Sequence, residues 1–375
     1  MKPVYLDYNA TTPLAPEVVE EMLPYLKEHF GNPSSGHYYG QITQDAVVMA
    51  RKRVAALLAC SANEIIFTGG GTEANNLAIK GVAYALQKRG NHIITQITEH
   101  PAVLNVCRFL ETQGFTVTYL PVDQYGMVNT DDVAEAISDK TILITIMHAN
   151  NETGTLQPVK EIGGLARKNG VLFHTDAAQS VGKVKTHVSD MNADLLTIAA
   201  HKLYGPKGVG ALYVRSGVDL LPTTHGAGHE GGLRPGTENV AGVVALGKSC
   251  LLALEEMDTR INHLTSLRNE FFALLQNYVP EVLLNGHPEK RLPNTLNVSF
   301  PGINAPQKLA EIPQIAASTG SACHHGEETM SPVLAAMNQP ASRGLGAVRL
   351  SLGRETTRED IKLAAELLGK NFSNN

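Results

Sequence analysis

The sequence predicts an α/β protein with a large domain built on a mainly parallel sheet and a smaller α+β domain. Two observations support this prediction. Between about residues 64 and 199, short apolar runs alternate with helical patterns, and this order is typical of a parallel sheet with helices on both faces. The chain of 375 residues also exceeds the usual size of one hydrophobic core, so we expect two domains.

The individual elements follow from this alternation. Strands are predicted at 64–68, 92–97, 115–120, 141–147, 171–174 and 195–199, and helices at 73–87, 101–113, 130–137 and 159–168. A long amphipathic helix is predicted over about 250–277, and the elements after it are shorter. The N-terminal segment through Pro16 is expected to belong fully to neither core.

Composition and charge argue against several classes of protein. Hydrophobic residues at 43%, charged residues at 18% and a formal net charge of −5 are ordinary values, which argue against direct binding to nucleic acid or to membranes. No apolar run has the length of a signal peptide or of a membrane span. The four cysteines lie far apart without a CxxC pair, so we expect reduced thiols and a cytoplasmic protein; they are Cys60, Cys107, Cys250 and Cys323.

A glycine-rich turn follows the first of these predicted strands. The run from Thr68 to Glu73 opens a helix, and the backbone N–H groups and dipole of a helix N-terminus form an anion site suited to a phosphate. The spacing Gly69-x-Gly71-x-x-Ala74 also fits a loose dinucleotide-binding pattern. A tight turn that binds nothing is a third alternative, and the turn alone does not distinguish them.

Asp176 follows another predicted strand, at the edge where open α/β sheets bind their ligands. A buried carboxylate needs a cationic partner, and the protonated pyridine nitrogen of pyridoxal phosphate is such a partner. Gln179, three residues further on, could reach the phenolic oxygen of the same cofactor. Taken alone, Asp176 is better explained as an aspartate that caps a following helix.

Two further motifs carry reactive side chains. Lys202 follows a predicted strand in the run His-Lys-Leu-Tyr-Gly-Pro-Lys-Gly. An isolated lysine there is usually a solvated surface residue, but this run is typical of the cofactor lysine of a pyridoxal-phosphate enzyme. Cys323 lies alone in Ser-Thr-Gly-Ser-Ala-Cys-His-His-Gly. It is either a nucleophilic thiol on a glycine-flanked loop or an exposed thiol without a role.

Nearly the whole chain resembles the NifS-like cysteine desulfurases and selenocysteine lyases, which are class-V relatives of the aminotransferases. The resemblance rests on an ordered series of motifs, too long to arise by chance. The matching segments are 5–12, 31–35, 67–76, 98–100, 150–154, 176–179, 200–208, 234–239 and 348–354.

The resemblance implies a pyridoxal-phosphate-dependent fold of type I with a seven-stranded type of sheet. It implies a large cofactor-binding domain over 15–250, and a small domain over 1–14 and 251–375 that carries the catalytic cysteine loop. It also implies a homodimer. By this resemblance, Lys202 forms the Schiff base, Asp176 pairs with the ring nitrogen, Gln179 contacts the phenolic oxygen, and His100 stacks on the ring and transfers protons. The phosphate is bound by Gly71, Thr72 and His201, and by Thr237 from the partner subunit. Asn151 contacts the substrate or the ring, and Arg349 binds the substrate carboxylate.

Purely structural roles would also account for some of these positions. Without the resemblance, His100 reads as a polar residue at a strand end, and Arg349 as one half of an ion pair at the edge of a core. Histidines near Cys323 and the pair His225 and His229 lack a matching cluster of further ligands, so we expect no metal site. The chain departs from its relatives at Ala199, where many have a serine, and at His229, where many have a glutamine.

Together these features predict a cysteine desulfurase that converts L-cysteine to L-alanine and forms a persulfide on Cys323. The sulfur would pass to an acceptor or scaffold protein for iron–sulfur cluster assembly or tRNA thiolation. Two alternatives remain open. The chain could be a selenocysteine lyase that acts on L-selenocysteine, or a non-catalytic scaffold for sulfur relay.

Overall fold

The computed structural model describes residues 2–319 and 330–373. The strands are β1 (Val4–Tyr5), β2 (Ile65–Thr68), β3 (His92–Gln96), β4 (Thr116–Leu120), β5 (Thr141–Thr145), β6 (Leu172–Asp176), β7 (Leu195–Ala199), β8 (Gly210–Val214), β9 (Leu283–Asn285), β10 (Thr295–Ser299), β11 (Ile315–Ala316) and β12 (Ala347–Ser351). The helices are α1 (Pro16–Met22), α2 (Pro24–Lys27), α3 (Tyr38–Leu58), α4 (Gly71–Leu86), α5 (Pro101–Glu111), α6 (Thr130–Ala136), α7 (Val159–Lys168), α8 (Val188–Met191), α9 (Val240–Tyr278), α10 (Ala305–Ala310), α11 (Pro332–Ala336), α12 (Ala341–Gly344) and α13 (Arg358–Phe372).

A seven-stranded sheet forms the centre of the molecule, with strand order β2-β8-β7-β6-β5-β3-β4. Pairing is parallel from β7 through β4, and β8 runs antiparallel to both of its neighbours. The predicted mainly parallel sheet is therefore confirmed. The predicted elements between residues 64 and 199 are present, and their ends differ from the predictions by no more than two residues. Strand β8 was not predicted, because it begins with a glycine in a glycine-rich stretch.

Helices cover both faces of this sheet, as predicted. On one face, α4 and α5 pack on the sheet through buried side chains such as Leu77 and Val106. On the other face, α3, α7 and the first half of α9 contribute side chains such as Val54, Ile162 and Leu246. Strands β2, β5, β7 and β8 are buried along their whole length, which is typical of strands covered on both faces, whereas the edge strand β4 is largely half-buried.

A second core lies at the C-terminal end of the chain. It contains the antiparallel sheet β12-β10-β9, the second half of α9, helix α13 and Leu6 from the N-terminal segment. The same segment also packs against α9 through Ala15 and Val18. Side chains near the N-terminus therefore contribute to more than one cluster, and the assignment of this segment to a domain stays a prediction.

Helix α9 connects the two cores without interruption over 39 residues. It begins at Val240, about ten residues before the predicted start. The sequence did not indicate these first turns because their small and apolar residues are buried on several sides and show no amphipathic period. The side chain of Asn239 caps this end by accepting a hydrogen bond from Gly242 N at 3.1 Å. The division of the chain into 15–250 and 251–375 falls within this helix, and it stays a prediction.

Across the described ranges, none of the helices combines the length and the apolar character needed to cross a bilayer. The architecture instead brings several chain segments to the carboxyl edge of the large sheet. Strand β2 leads there into α4, β6 ends there at Asp176, and β7 leads into a short 3₁₀ turn that ends at Lys202. This is the edge at which open parallel sheets bind ligands.

Close packing of α3 against α9 depends on Gly247. A Cβ atom at this position would lie 2.6 Å from Ala50 Cα. We expect Gly247→Ala to lower the free energy of unfolding by about 1–3 kcal/mol, measured by chemical denaturation. The matched control is Gly164→Ala on α7, where a Cβ would meet no atom within 4 Å and where helix propensity favours alanine by up to about 1 kcal/mol. Equal stabilities of the two variants would contradict this account of the interface.

Candidate active site

A cavity of about 430 Å³ lies at the carboxyl edge of the large sheet. Its volume is within the range of about 300–1,000 Å³ that is usual for small-molecule sites. The structure brings together here most of the residues singled out from the sequence. These lining residues are Gly71, Thr72, His100, Asn151, Asp176, Gln179, His201, Lys202 and Arg349.

Lys202 is the reactive amine of this cavity. Its Nζ donates hydrogen bonds to the backbone carbonyl oxygens of Asn9 at 2.6 Å and Ala10 at 2.7 Å. Burial, together with the charge of Arg349, lowers the pKa of Lys202 to about 8, against opposing effects of Asp176 and Asp7. Because a neutral amine is the nucleophilic form, this environment makes Lys202 reactive near neutral pH.

Asp176 is 7% exposed and forms the end of β6. Its Oδ2 accepts a hydrogen bond from Asn75 Nδ2 at 2.7 Å, and its Oδ1 accepts one from Ala178 N at 2.9 Å. Both donors are neutral, so the buried carboxylate faces the cavity with room for a cationic partner. The interpretation of Asp176 as a helix cap is wrong, because the next α-helix begins only at Val188.

His100 lies at the N-terminus of α5 and lines the cavity. Its Nδ1 accepts a hydrogen bond from Ala102 N at 3.1 Å, so in the neutral ring the proton is on Nε2. Desolvation lowers the pKa of His100 below its ordinary value; the charge of Asp176 opposes this shift and the charge of Lys202 adds to it. His100 is therefore a neutral ring with one N–H available for a hydrogen bond.

The other end of the cavity is suited to an anion. Gly71 and Thr72 form the first residues of α4, whose N-cap Gly70 has a φ of 143° that favours glycine. The first N–H groups of a helix lack intrahelical acceptors and carry partial positive charge. His201 borders the same end, and burial, with the charge of Lys202, lowers its pKa to about 4. A neutral His201 can donate one hydrogen bond to an anion there.

Arg349 lies on β12 with an exposure of 7%. Its Nη2 forms an ion pair with Asp7 Oδ1 at 2.7 Å, and its Nη1 donates to the carbonyl oxygen of Asn151 at 3.1 Å. Its Nε is buried without a hydrogen-bond partner among the described residues. A role of Arg349 in an ion pair and a role in binding a substrate carboxylate are thus both compatible with the structure, since the ion-paired guanidinium also lines the cavity.

Two predicted residues do not belong to this cavity. Thr237 is exposed and does not border it, so its contact with a partner subunit stays a prediction. Cys323 lies outside the described residues, although Ser318, near the end of the described segment before it, borders the cavity.

The two positions at which the sequence departs from the NifS-like pattern lie in different parts of the structure. Ala199 lines the cavity. His229 Nδ1 lies 3.1 Å from Glu238 Oε2. Among residues 2–319 and 330–373, no group of three or more histidine, cysteine or acidic side chains is arranged to hold a metal ion.

Sequence reasoning missed two residues that organise the site. Asn75 binds Asp176, and Asn9 accepts a hydrogen bond from Lys202 through its carbonyl oxygen. Asn75 lies four residues after Gly71, so it lies one turn into α4 on the side of the anion site. That helical spacing was the available signal for Asn75. No comparable signal marks Asn9, because its contacts come from distant parts of the chain.

Comparisons with known proteins agree with this arrangement. The family model described as aminotransferase class-V matches residues 4–363. The cysteine desulfurase IscS of Dictyoglomus turgidum is 49% identical, with 97% of this chain and 93% of the relative covered. The protein of the same name from Methanosarcina thermophila is also 49% identical, with coverages of 98% and 91%.

Solved structures extend the comparison. A NifS-like protein superposes with a TM-score of 0.92 at 36% identity, and the match covers 98% of each chain. A structure described as SspA in complex with cysteine gives a TM-score of 0.83 at 39% identity, covering 93% of this chain and 98% of the other. These solved structures therefore share nearly the whole fold with this chain.

The lowered pKa of Lys202 leads to a test. Arg349→Gln removes a charge that lowers this pKa, so we expect the pKa of Lys202 to rise. Imine formation between Lys202 and pyridoxal phosphate, added as an aldehyde probe and followed by visible absorbance, should increase with pH around about 8 in the wild type. In the variant the midpoint should move to higher pH. Arg358→Gln, at a fully exposed arginine on α13, is the matched control; equal midpoints in the two variants would contradict the assignment.

Proposed function

The chain belongs to the class-V aminotransferase family, and on this basis we propose that it is a pyridoxal-phosphate-dependent cysteine desulfurase. One observation supports this function above the others. A lysine whose pKa is lowered to about 8 shares a cavity with a buried aspartate and a buried arginine, Asp176 and Arg349. These are the three groups that an enzyme needs to bind an amino acid and to remove its α-proton with this cofactor.

The cavity fits pyridoxal phosphate on chemical grounds. Among the described residues, the hydrogen-bond donors of Asp176 are neutral, so a protonated ring nitrogen would supply a cationic partner. The N-terminus of α4 and His201 would hold the phosphate, His100 would lie against the ring and Gln179 would donate to the phenolic oxygen. When bound, this cofactor withdraws electrons from the substrate Cα. A dinucleotide site would leave Asp176 and Lys202 unexplained.

Lys202 acts as the base in this proposal. Its free amine would take the Cα proton of the substrate and later return a proton to the product. A pKa near 8 suits both steps at neutral pH. The carbonyl groups of Asn9 and Ala10 accept hydrogen bonds from the lysine Nζ. The guanidinium of Arg349 binds the substrate carboxylate, and Asn151 lies beside it.

Sulfur removal is assigned to Cys323. Its thiolate attacks the substrate sulfur, so that an S–S bond forms and the Cβ–S bond of the substrate breaks. The electron pair of the broken bond stays with the substrate carbon, which is protonated to give L-alanine. The chain retains a persulfide on Cys323, and His100 or the neighbouring His324 or His325 assists the proton transfer.

The persulfide sulfur passes to an acceptor or scaffold protein, for iron–sulfur cluster assembly or for tRNA thiolation. A reducing cytoplasm suits this chemistry because it keeps thiols available. The described cysteines Cys60, Cys107 and Cys250 are all free thiols, which is compatible with that compartment.

A homodimer is part of the proposal. An exposed aromatic and apolar patch surrounds the start of α3, where Phe30 is 79% and Tyr38 is 73% exposed. Phe30 stacks on Tyr39 with ring centroids 5.4 Å apart. Exposed apolar patches of this kind mark protein interfaces, and a second copy of the chain would cover this one. Thr237 would then reach the phosphate in the partner subunit.

The activity is tested with purified protein, pyridoxal phosphate and either L-cysteine or L-selenocysteine, by quantifying L-alanine together with sulfide or selenide. We expect alanine from cysteine, and loss of activity to background in Lys202→Ala and in Cys323→Ala. Cys60→Ala replaces another free thiol and should retain full activity. Cys323→Ala should keep the visible absorbance of the bound cofactor, because this residue does not hold it.

The alternatives give different results in the same assay. Alanine from selenocysteine alone would identify a selenocysteine lyase. A cofactor-free protein that releases no alanine from either substrate would support a sulfur-relay scaffold and contradict the proposed enzyme.

The dimer has its own test. We expect the wild-type protein to sediment as a dimer, and Tyr38→Glu to shift it toward the monomer because it places a charge in the apolar patch. Tyr125→Glu is the matched control, since Tyr125 is 38% exposed elsewhere on the surface. A wild-type monomer at micromolar concentration would contradict the proposal.

A further inference from the structure

Lys183 is a buried lysine that the mechanism above does not use. It lies four residues after Gln179 and is 9% exposed. Its Nζ donates to Gln179 Oε1 at 3.0 Å and to Asn9 Oδ1 at 3.2 Å. It does not border the active-site cavity, but it lines a small void together with Lys202. Lys183 therefore lies in the layer of side chains next to the site.

Asn9 connects Lys183 with the catalytic lysine. Its side-chain Oδ1 accepts from Lys183, and its backbone carbonyl oxygen accepts from Lys202 Nζ at 2.6 Å and from Gln179 Nε2 at 2.9 Å. The rest of its side chain is also bound, since Nδ2 donates to Thr295 Oγ1 at 2.9 Å. Asn9 is 1% exposed, so these protein partners, and not solvent, satisfy its side chain.

Lys183 also determines which way the amide of Gln179 faces. The Nζ of Lys183 donates to both of its partners, Gln179 Oε1 and Asn9 Oδ1, and the ammonium and the neutral amine both have enough N–H groups for this. The amide oxygen of Gln179 must therefore face Lys183, which leaves its Nε2 donor on the other side. Nε2 carries two N–H groups, of which one is donated to the Asn9 carbonyl oxygen at 2.9 Å. Since Gln179 lines the cavity, the second N–H is the donor that it can offer there. A flipped amide would oppose one oxygen to another at the cofactor.

We propose that Lys183 is a positioning residue, which holds the Gln179 amide in its donating orientation and fixes, through Asn9, the carbonyl group that binds Lys202. This inference rests on the proposed function, because it assigns Gln179 to the phenolic oxygen of pyridoxal phosphate.

The cost of burying Lys183 supports the inference. Burial, with the charges of Lys202 and Arg349, lowers its pKa well below the ordinary lysine value. In the described parts of the chain, no carboxylate lies within ion-pair distance of its amine. An apolar side chain of similar length would fill the space without this desolvation. What the lysine adds is its pair of hydrogen bonds.

The test compares Lys183→Met with Lys185→Met, a change at an exposed lysine two residues away. Lys183→Met keeps the length of the side chain and removes its donors. We expect the pH midpoint of the cofactor's visible absorbance to rise by about one unit, because the phenolic oxygen loses its donor. We also expect kcat for cysteine to fall about tenfold or more while KM changes less. Lys185→Met should match the wild type in each of these properties.

A double-mutant cycle separates positioning from a general structural effect. If Lys183 acts through Gln179, the rise of the midpoint should largely disappear when Lys183→Met is made in a Gln179→Ala background. An equal rise in both backgrounds, or a Lys183→Met midpoint equal to that of Lys185→Met, would overturn the inference. If Lys183→Met does not fold, Lys183→Gln is used in its place. Its side chain keeps an N–H donor but is shorter than lysine and cannot reach both acceptors, and its midpoint is compared with that of Lys185→Met in the same way. A wild-type protein without the cofactor's absorbance would overturn the proposed function itself.

Discussion

The hydrogen bonds of Asn9 hold the active site in place. This one residue joins the N-terminal segment to Lys202 through its carbonyl group, and to the small sheet through Thr295 and Ser351. Lys202 leaves the large sheet at the end of β7, whereas Thr295 and Ser351 belong to β10 and β12. The site thus lies where the two sheets and the N-terminal segment meet, and its geometry depends on all three.

Desolvation sets the chemical character of the groups in this region. Burial is the largest cause of the lowered pKa values of Lys202, His100, His201 and Lys183. The charge of Asp176 opposes this lowering in part for Lys202 and His100, whereas neighbouring positive charges add to it for His201 and Lys183. A cavity that is closed enough to lower the pKa of an amine also excludes the water that would screen the charges within it.

The sequence was informative wherever the pattern was local. Alternating strands and helices, and residues at strand ends such as Asp176 and Lys202, follow from short-range rules, and the large sheet was predictable from them. Strand β8 and the first turns of α9 were not, because glycine and small apolar residues carry no clear period. Asn9 was not identified as a site residue, since its partners are separated from it by about 140 to 340 residues. Such contacts are fixed by tertiary packing, which no local pattern records.

Helix α9 has a mechanical consequence. At 39 residues it is about 58 Å long at the usual rise per residue, and it is packed into one core over its first half and into the other over its second. A hinge between the cores would have to bend this helix or detach it from one of them. The two halves should therefore be stiffly coupled, so that passage of substrate and product depends on the segments around the cavity mouth and not on the swinging apart of two bodies.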